Sequence, residues 1–244
     1  MSHPDIVKRP ERESADGIYT IGRALLAAVP YVGGSAAELL ALVVSPPLEK
    51  RRDEWIQSIA VELKQLEEET ACFKLENLAQ DEQFVTTVLY ATRSAIATHQ
   101  QEKIGALRNA VLNAALPRPL QDDVQMMFLQ WIDTLTTWHL RILKFLDNPA
   151  QWAARSSTTY PNWDRASLTE VLDLAFPQIQ GNMPLYGLLV GDLYAHGLVS
   201  IANPFGWVEE QGTFPGVTTE LGRQFLTFIE SPLNRSSDDV ASCH

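Results

Sequence analysis

SLTEVLDLAFPQIQGNMPLYGLLVGDLYAHGLVS, residues 167–200, is the stretch on which the reading of this chain turns. Ser167 and Glu170 stand three apart, the spacing at which a serine hydroxyl and a glutamate carboxylate satisfy each other's free backbone N–H groups at a helix start. The apolar Val171, Leu172 and Leu174 follow, and Pro177 ends that helix. Pro184 suits the first turn of a second helix, where its missing N–H would have had no partner. Leu185, Leu188, Leu189 and Leu193 form its stripe, and Gly197 is a natural stop. The period then changes. Residues 198–201 read as a strand, 202–215 as a loop or wing carrying Phe205, Trp207 and Phe214, and Val217 with Thr218 as the returning strand. Thr219 caps a final helix with Leu221, Phe225, Phe228 and Ile229 inward. That order is the local pattern of a small winged-helix-like α+β module, expected over 164–230.

Modules of that pattern are best known for gripping DNA, and the charge here argues against it. No lysine or arginine occurs between Arg165 and Arg223, while Asp173, Asp192, Glu209, Glu210 and Glu220 fall inside the interval. A helix that reads bases must first be held on phosphates, and that affinity comes from Lys and Arg releasing counterions. The whole chain carries a formal charge of -11 over 244 residues, so a polyanion is repelled at long range as well. Nucleic acid is therefore not the expected partner; the module is read as binding protein or packing on its own chain. A winged-helix DNA-binding transcriptional regulator is the alternative reading, supported by module shape alone.

Upstream, Pro149, Pro161 and the run from Ser156 to Thr159 mark 149–163 as a linker. Residues 46–148 read as a helical bundle. One amphipathic helix begins near Glu49 with Trp55, Ile56, Ile59, Leu63 and Leu66 on one face. Its first turns hold Lys50, Arg51 and Arg52, the wrong sign for the positive end of a helix dipole. Asp81 and Glu82 open the next helix, with Phe84, Val85, Val88, Leu89 and Ile96 at helical spacing. Helices over 102–116, 122–135 and 137–146 complete the bundle, the fourth of these five with Val124, Met127, Phe128, Trp131 and Ile132 inward.

Residues 18–45 are strongly apolar, with Arg23 and Glu38 their only charged side chains. Pro30 and Gly33-Gly34 break the segment in the middle and Pro46-Pro47 ends it, so the expectation is a hairpin of two short helices. Neither arm spans a bilayer, which takes about 20 apolar residues in unbroken helix. Buried, the hairpin completes the bundle. Exposed, it forms a membrane or oligomer segment built from Leu25, Leu26, Val29, Tyr31, Val32, Leu39, Leu40 and Leu42, with Lys50, Arg51 and Arg52 beside it to meet anionic lipid at about 1 kcal/mol each. Residues 1–17 and 231–244 are polar and read as flexible tails. The fold expected is mainly α: a helical bundle with an apolar N-terminal helical hairpin, then the winged-helix-like module.

Few residues suggest chemistry. The five histidines keep no metal-ligand spacing, no phosphate-cradling glycine loop or nucleophile elbow occurs, and no cofactor is expected. The bundle does hold a polar set, Arg93, His99, Lys103, Arg108, Asn109 and Asn113, of which the last three lie close on one helix surface. They are either an anion or nucleotide pocket or, as the ordinary reading has it, caps and inter-helix hydrogen bonds. Cys72 and Cys243 sit far apart, which suits a reduced cytoplasm, with peripheral inner-membrane contact through the hairpin as the accompanying expectation.

The order of apolar hairpin, amphipathic stretch 47–66, the central ALRNAVLNAAL at 106–116, the segment 135–146, Leu198, and TTELGRQFL at 218–226 loosely resembles the bacterial abortive-infection alpha family. The resemblance rests on order and apolar pattern and brings no catalytic motif. It implies a non-enzymatic bacterial interaction protein in phage defence or stress response, working by protein contacts and by membrane engagement of the hairpin.

Overall fold

ALRNAVLNA, residues 106–114, places Ala106, Ala110 and Ala114 along one face of a helix and larger aliphatic groups on the others. Small side chains let neighbouring helices come close, and a helix apolar nearly all round belongs inside a protein. It does lie inside: Ala106, Leu107, Ala110, Val111, Leu112 and Ala114 are all buried.

The computed structural model describes residues 34–70, 74–117, 120–156, 166–205, 207–208 and 216–234, and for 34–47, 156, 166 and 207–208 it describes the backbone alone. Two compact units divide the chain, Met1–Arg51 and Arg52–His244. In chain order the helices are α1 (Gly34–Thr70), α2 (Leu75–Leu78), α3 (Glu82–Ala97), the central α4 (Gln101–Ala114), α5 (Asp122–Thr134), α6 (Thr137–Asp147), α7 (Pro149–Ser156), α8 (Leu168–Ala175), α9 (Met183–Ala195) and α10 (Glu220–Ile229). Single 3₁₀ turns occupy Pro177–Ile179 and Pro232–Asn234. The chain is thus mainly helical, as its periodicity predicts.

Five features depart from the sequence reading. First, α1 does not stop at Pro46-Pro47 but runs through both. Each proline removes a donor and crowds the carbonyl one turn back, at about 3 kcal/mol in a helix interior, although its fixed φ is already helical; the helix carries the pair nonetheless. Gly34 is its first residue, and the expected first arm of the hairpin, with Leu25, Leu26, Val29, Tyr31 and Val32, lies outside the described residues. Leu39, Leu40 and Leu42 belong to the helix backbone. Lys50, Arg51 and Arg52 therefore sit about four turns past the helix start, where the end of the dipole no longer matters.

Second, residues 149–156 of the expected linker are helical. Pro149 stands at the first position, where proline is well tolerated, and Asn148 Oδ1 accepts from Gln151 N at 2.9 Å. Third, the β part of the C-terminal module shrinks. The strands expected at 198–201 and 217–218 meet only at a single bridge, Val199 to Thr218. A second, two-residue ladder pairs Ala166–Ser167 with Trp207–Val208 antiparallel. A winged sheet is not formed among the described residues. In its place Leu198, Val199 and Val217 pack into the core, and the Val217 backbone N donates to Leu146 O at the end of α6 (2.9 Å).

Fourth, the inward face of α3 differs. Phe84, Thr87, Ala91 and Ala95 are buried, whereas Leu89 is 67% exposed and Val85 38%. A polar network explains the buried threonine: Thr87 Oγ1 donates to Gln83 O (2.9 Å) and accepts from Gln125 Nε2, while Gln83 Nε2 reaches Leu120 O (2.8 Å). Satisfied groups of this kind can be enclosed at little cost. Fifth, the expected C-terminal tail begins with the 3₁₀ turn, whose Pro232 is buried.

The bundle and the last helices of the chain share one apolar core. Phe128 meets Phe225 edge-on at 5.2 Å and Phe228 at 5.7 Å, and Trp131 meets Phe225 at 5.7 Å. Gly222 in α10 is pressed so close to the chain that an added Cβ would overlap the carbonyl oxygen of Leu198 and the methyl of Thr218. Gly222→Ala should therefore destabilise the protein by about 1–3 kcal/mol, the usual range for overpacking, read as a lowered urea midpoint with unchanged slope.

Candidate functional site

The residues singled out in the sequence point in two directions. Arg108 on α4 sends Nε to within 3.1 Å of Glu62 Oε1 on α1. Asn109 and Asn113, one turn apart on α4, turn to the C-terminus of α10 instead. Asn109 Nδ2 donates to Ile229 O at 2.9 Å, and Asn113 Nδ2 lies 2.9 Å from Phe228 O and Glu230 O and 3.2 Å from Thr227 O. The last carbonyls of a helix have no partner within it. One amide with two hydrogens, shared among three such oxygens, acts as an external cap supplied by another helix. Lys103 donates to Asp133 O at 2.6 Å, and Asp133 Oδ2 accepts from Tyr90 and Ser94 at 2.9 Å each. Burial first, then the hydrogen bond to Asp133, pushes the Tyr90 hydroxyl up to about 12. His99 and Arg93 are exposed. The polar set is thus dispersed over separate joints of the bundle.

The surface of α9 is more informative. Asn182 Oδ1 accepts from Leu185 N at its start, and Gly197, with φ of 70°, lies just past its end. Tyr186, Leu189, Val190 and Leu193 are buried on one side. The opposite side is apolar too: Pro184, Leu188, Gly191 and Ala195 run along it, flanked by Gly187 and Tyr194. Leu188 is 58% exposed and Tyr194 48%. Phe205, itself 49% exposed, lies beside Gly187, so near that a Cβ there would touch its ring at 3.7 Å. No cation stands on this helix. The sequence reading placed Leu188 in the buried stripe; the structure turns it to solvent because Tyr186 and Val190 occupy the inward positions.

Two buried attachments hold α9 in place. Tyr186 Oη donates to Asp173 Oδ1 (2.7 Å), which also accepts from Gly181 N (2.8 Å), and burial with that bond raises the Tyr186 hydroxyl well above its ordinary range. On the other side His139 of α6 is buried with Nε2 3.2 Å from Asp192 Oδ2. Its Nδ1 accepts from Thr136 N at 3.0 Å, closing the capping box of α6. An Nδ1 that accepts cannot carry the proton, so the ring is neutral and Nε2 is the donor to Asp192. Burial, against the opposing pull of Asp192, holds its pKa below the ordinary histidine value.

Some bundle cations do gather beside the C-terminal segment. Lys144, Arg155 and Arg223 line a cavity of about 380 Å³, but Asp147 and Glu230 line it as well and Arg223 is held by Glu220 at 3.1 Å. The lining itself carries three cations against two carboxylates, and Glu220, just outside it, is paired with one of the three. Lys50 and Arg51 are exposed on α1, and Arg52 lies 3.4 Å from Asp53. Among the described residues no helix is long and apolar enough to cross a membrane, and no group of three His, Cys, Asp or Glu side chains could hold a metal ion.

No family model, curated protein or solved structure matches this chain. Two measurements test the joints described above. Asn113→Ala should cost about 1–3 kcal/mol in unfolding free energy by leaving the α10 carbonyls unpaired. The unfolded chain takes up a proton at His139 near pH 6.5 while the folded chain resists it, so stability falls as pH drops below that value, by up to about 1.4 kcal/mol per unit, and levels off below the folded pKa. His139→Gln keeps the capping-box pairing without a titrating group, and the slope between about pH 5 and 6.5 should flatten in denaturation curves.

Proposed function

We propose that this protein is a non-enzymatic interaction protein whose partner, a protein, docks on the exposed apolar face of α9. The single observation that carries the reading is that α9 is apolar on both sides while one side faces solvent. A helix of that kind is ordinarily enclosed, and apolar faces left open on a soluble surface mark sites of association. Gly191, with open space where a Cβ would stand, would allow a partner's backbone to approach closely, and Leu188, Tyr194 and Phe205 would supply the buried contact. Absence of Lys and Arg on the face favours a protein over a nucleic acid, whose phosphates would need them. The loose resemblance to the abortive-infection alpha family is the ground for placing that contact in bacterial phage defence or stress response. Membrane engagement through the apolar N-terminal segment remains the accompanying proposal for residues 18–45.

A photo-crosslinking amino acid at position 188, expressed in cells, tests the docking surface. A discrete crosslinked species is expected from 188 and not from position 64, an exposed point on α1. The species vanishes when Tyr194→Glu is added. A folded protein that yields no crosslink from 188 in the cells that normally make it removes the proposal.

A further inference from the structure

A cavity of about 520 Å³ opens between α4, α6, α7, α8 and α10, within the size range of small-molecule sites. Its floor is apolar, built by Ala106, Leu140, Trp152, Phe176 and Ile229. The rings are fixed among themselves, Trp152 and Phe176 at 5.2 Å and Phe145 with Phe176 at 5.6 Å. The rim carries charge, and most of it is cancelled. Arg141 Nε reaches both carboxylate oxygens of Glu102 at 2.8 and 3.0 Å, and its guanidinium lies 4.9 Å over the ring of Trp138. Lys144 is different: it makes no ion pair or hydrogen bond to any described residue. An apolar chamber thus has one uncommitted cation at its mouth.

A second observation concerns Gly105, which lines the same cavity from the interior of α4. Glycine inside a helix costs about 1 kcal/mol relative to alanine. At Gly222 close contact explains the glycine; at Gly105, as at Gly191, a Cβ would meet nothing within 4 Å. No packing demand accounts for it. The lining is open at that point.

From this geometry we infer that the cavity binds a small amphipathic carboxylate, its apolar body on Trp152, Phe176 and Ile229 and its carboxylate on Lys144. A charged head on an exposed ammonium with the remainder on an apolar floor matches the distribution of polar and apolar groups that such sites use. Neutral ligands would forgo the Lys144 contact, and dianions would meet Glu102 at the same rim.

The probe is 3-phenylpropionate, titrated into the full chain and followed by amide NMR shifts, with 3-phenylpropan-1-ol as its uncharged counterpart. Saturable shifts at Gly105, Ala106 and Phe176 are expected with the carboxylate, and affinity about tenfold weaker with the alcohol. Lys144→Met, at an exposed site that leaves the fold intact, should weaken the carboxylate about tenfold and leave the alcohol unchanged. Gly105→Phe fills the chamber and should abolish binding of both, its unchanged spectrum elsewhere reporting that the protein is folded. Equal affinity for acid and alcohol, persistence of binding in Gly105→Phe, or no saturable shift at millimolar ligand would each overturn the inference.

Discussion

The structure depends on a seam of aromatic and aliphatic side chains that fastens α10 to the bundle. Phe225, Phe228 and Ile229 come from α10, Phe128 and Trp131 from α5, and the C-terminal carbonyls of α10 are held by Asn109 and Asn113 of α4. Burying a side chain of this size is worth about 1.5–3 kcal/mol, so the seam contributes several such increments at one joint. Neither side could stand alone with those groups in water. A short C-terminal segment with one strongly amphipathic helix buries too little of its own surface, which is why it lies on the bundle as part of one core.

That fastening decides what is left for function. α10 spends its apolar face on the bundle, and α8 is tied through Asp173 to the start of α9. α9 packs one side inward and is braced by His139 and Tyr186, so its other side is presented rigidly rather than as a loose flap. Pre-set surfaces of this sort lose little entropy on association. The cavity lined by Trp152 of α7 arises from the same arrangement, since α4, α6 and α10 meet around it and Gly105 is part of its lining.

Much of the helical order was legible because it is written in local chemistry. The Ser167-Glu170 box, the Asp81 and Thr219 caps, Pro184 at a helix start and Gly197 past its end are each satisfied by groups within a turn of themselves. Faces were less legible than spans. Leu89 and Leu188 have the hydropathy of core residues and lie outside, while Thr87 and Gln125 have the hydropathy of surface residues and lie inside, because their partners come from another helix. The roles of Arg108, Asn109 and Asn113 show the same limit: sequence spacing put them on one surface, and only the positions of α1 and α10 sent them to different partners.

Sequence alone determined that this chain is mainly helical, acidic, and without cations from 166 to 222, since these follow from residue identity and from interactions spanning a few positions. Tertiary structure decided that α1 continues through two prolines, that the expected wing is replaced by a bridge and side-chain packing, that one side of α9 stays open, and that a lone lysine guards an apolar chamber. The last three of these depend on contacts between residues tens of positions apart, whose energies no local pattern encodes.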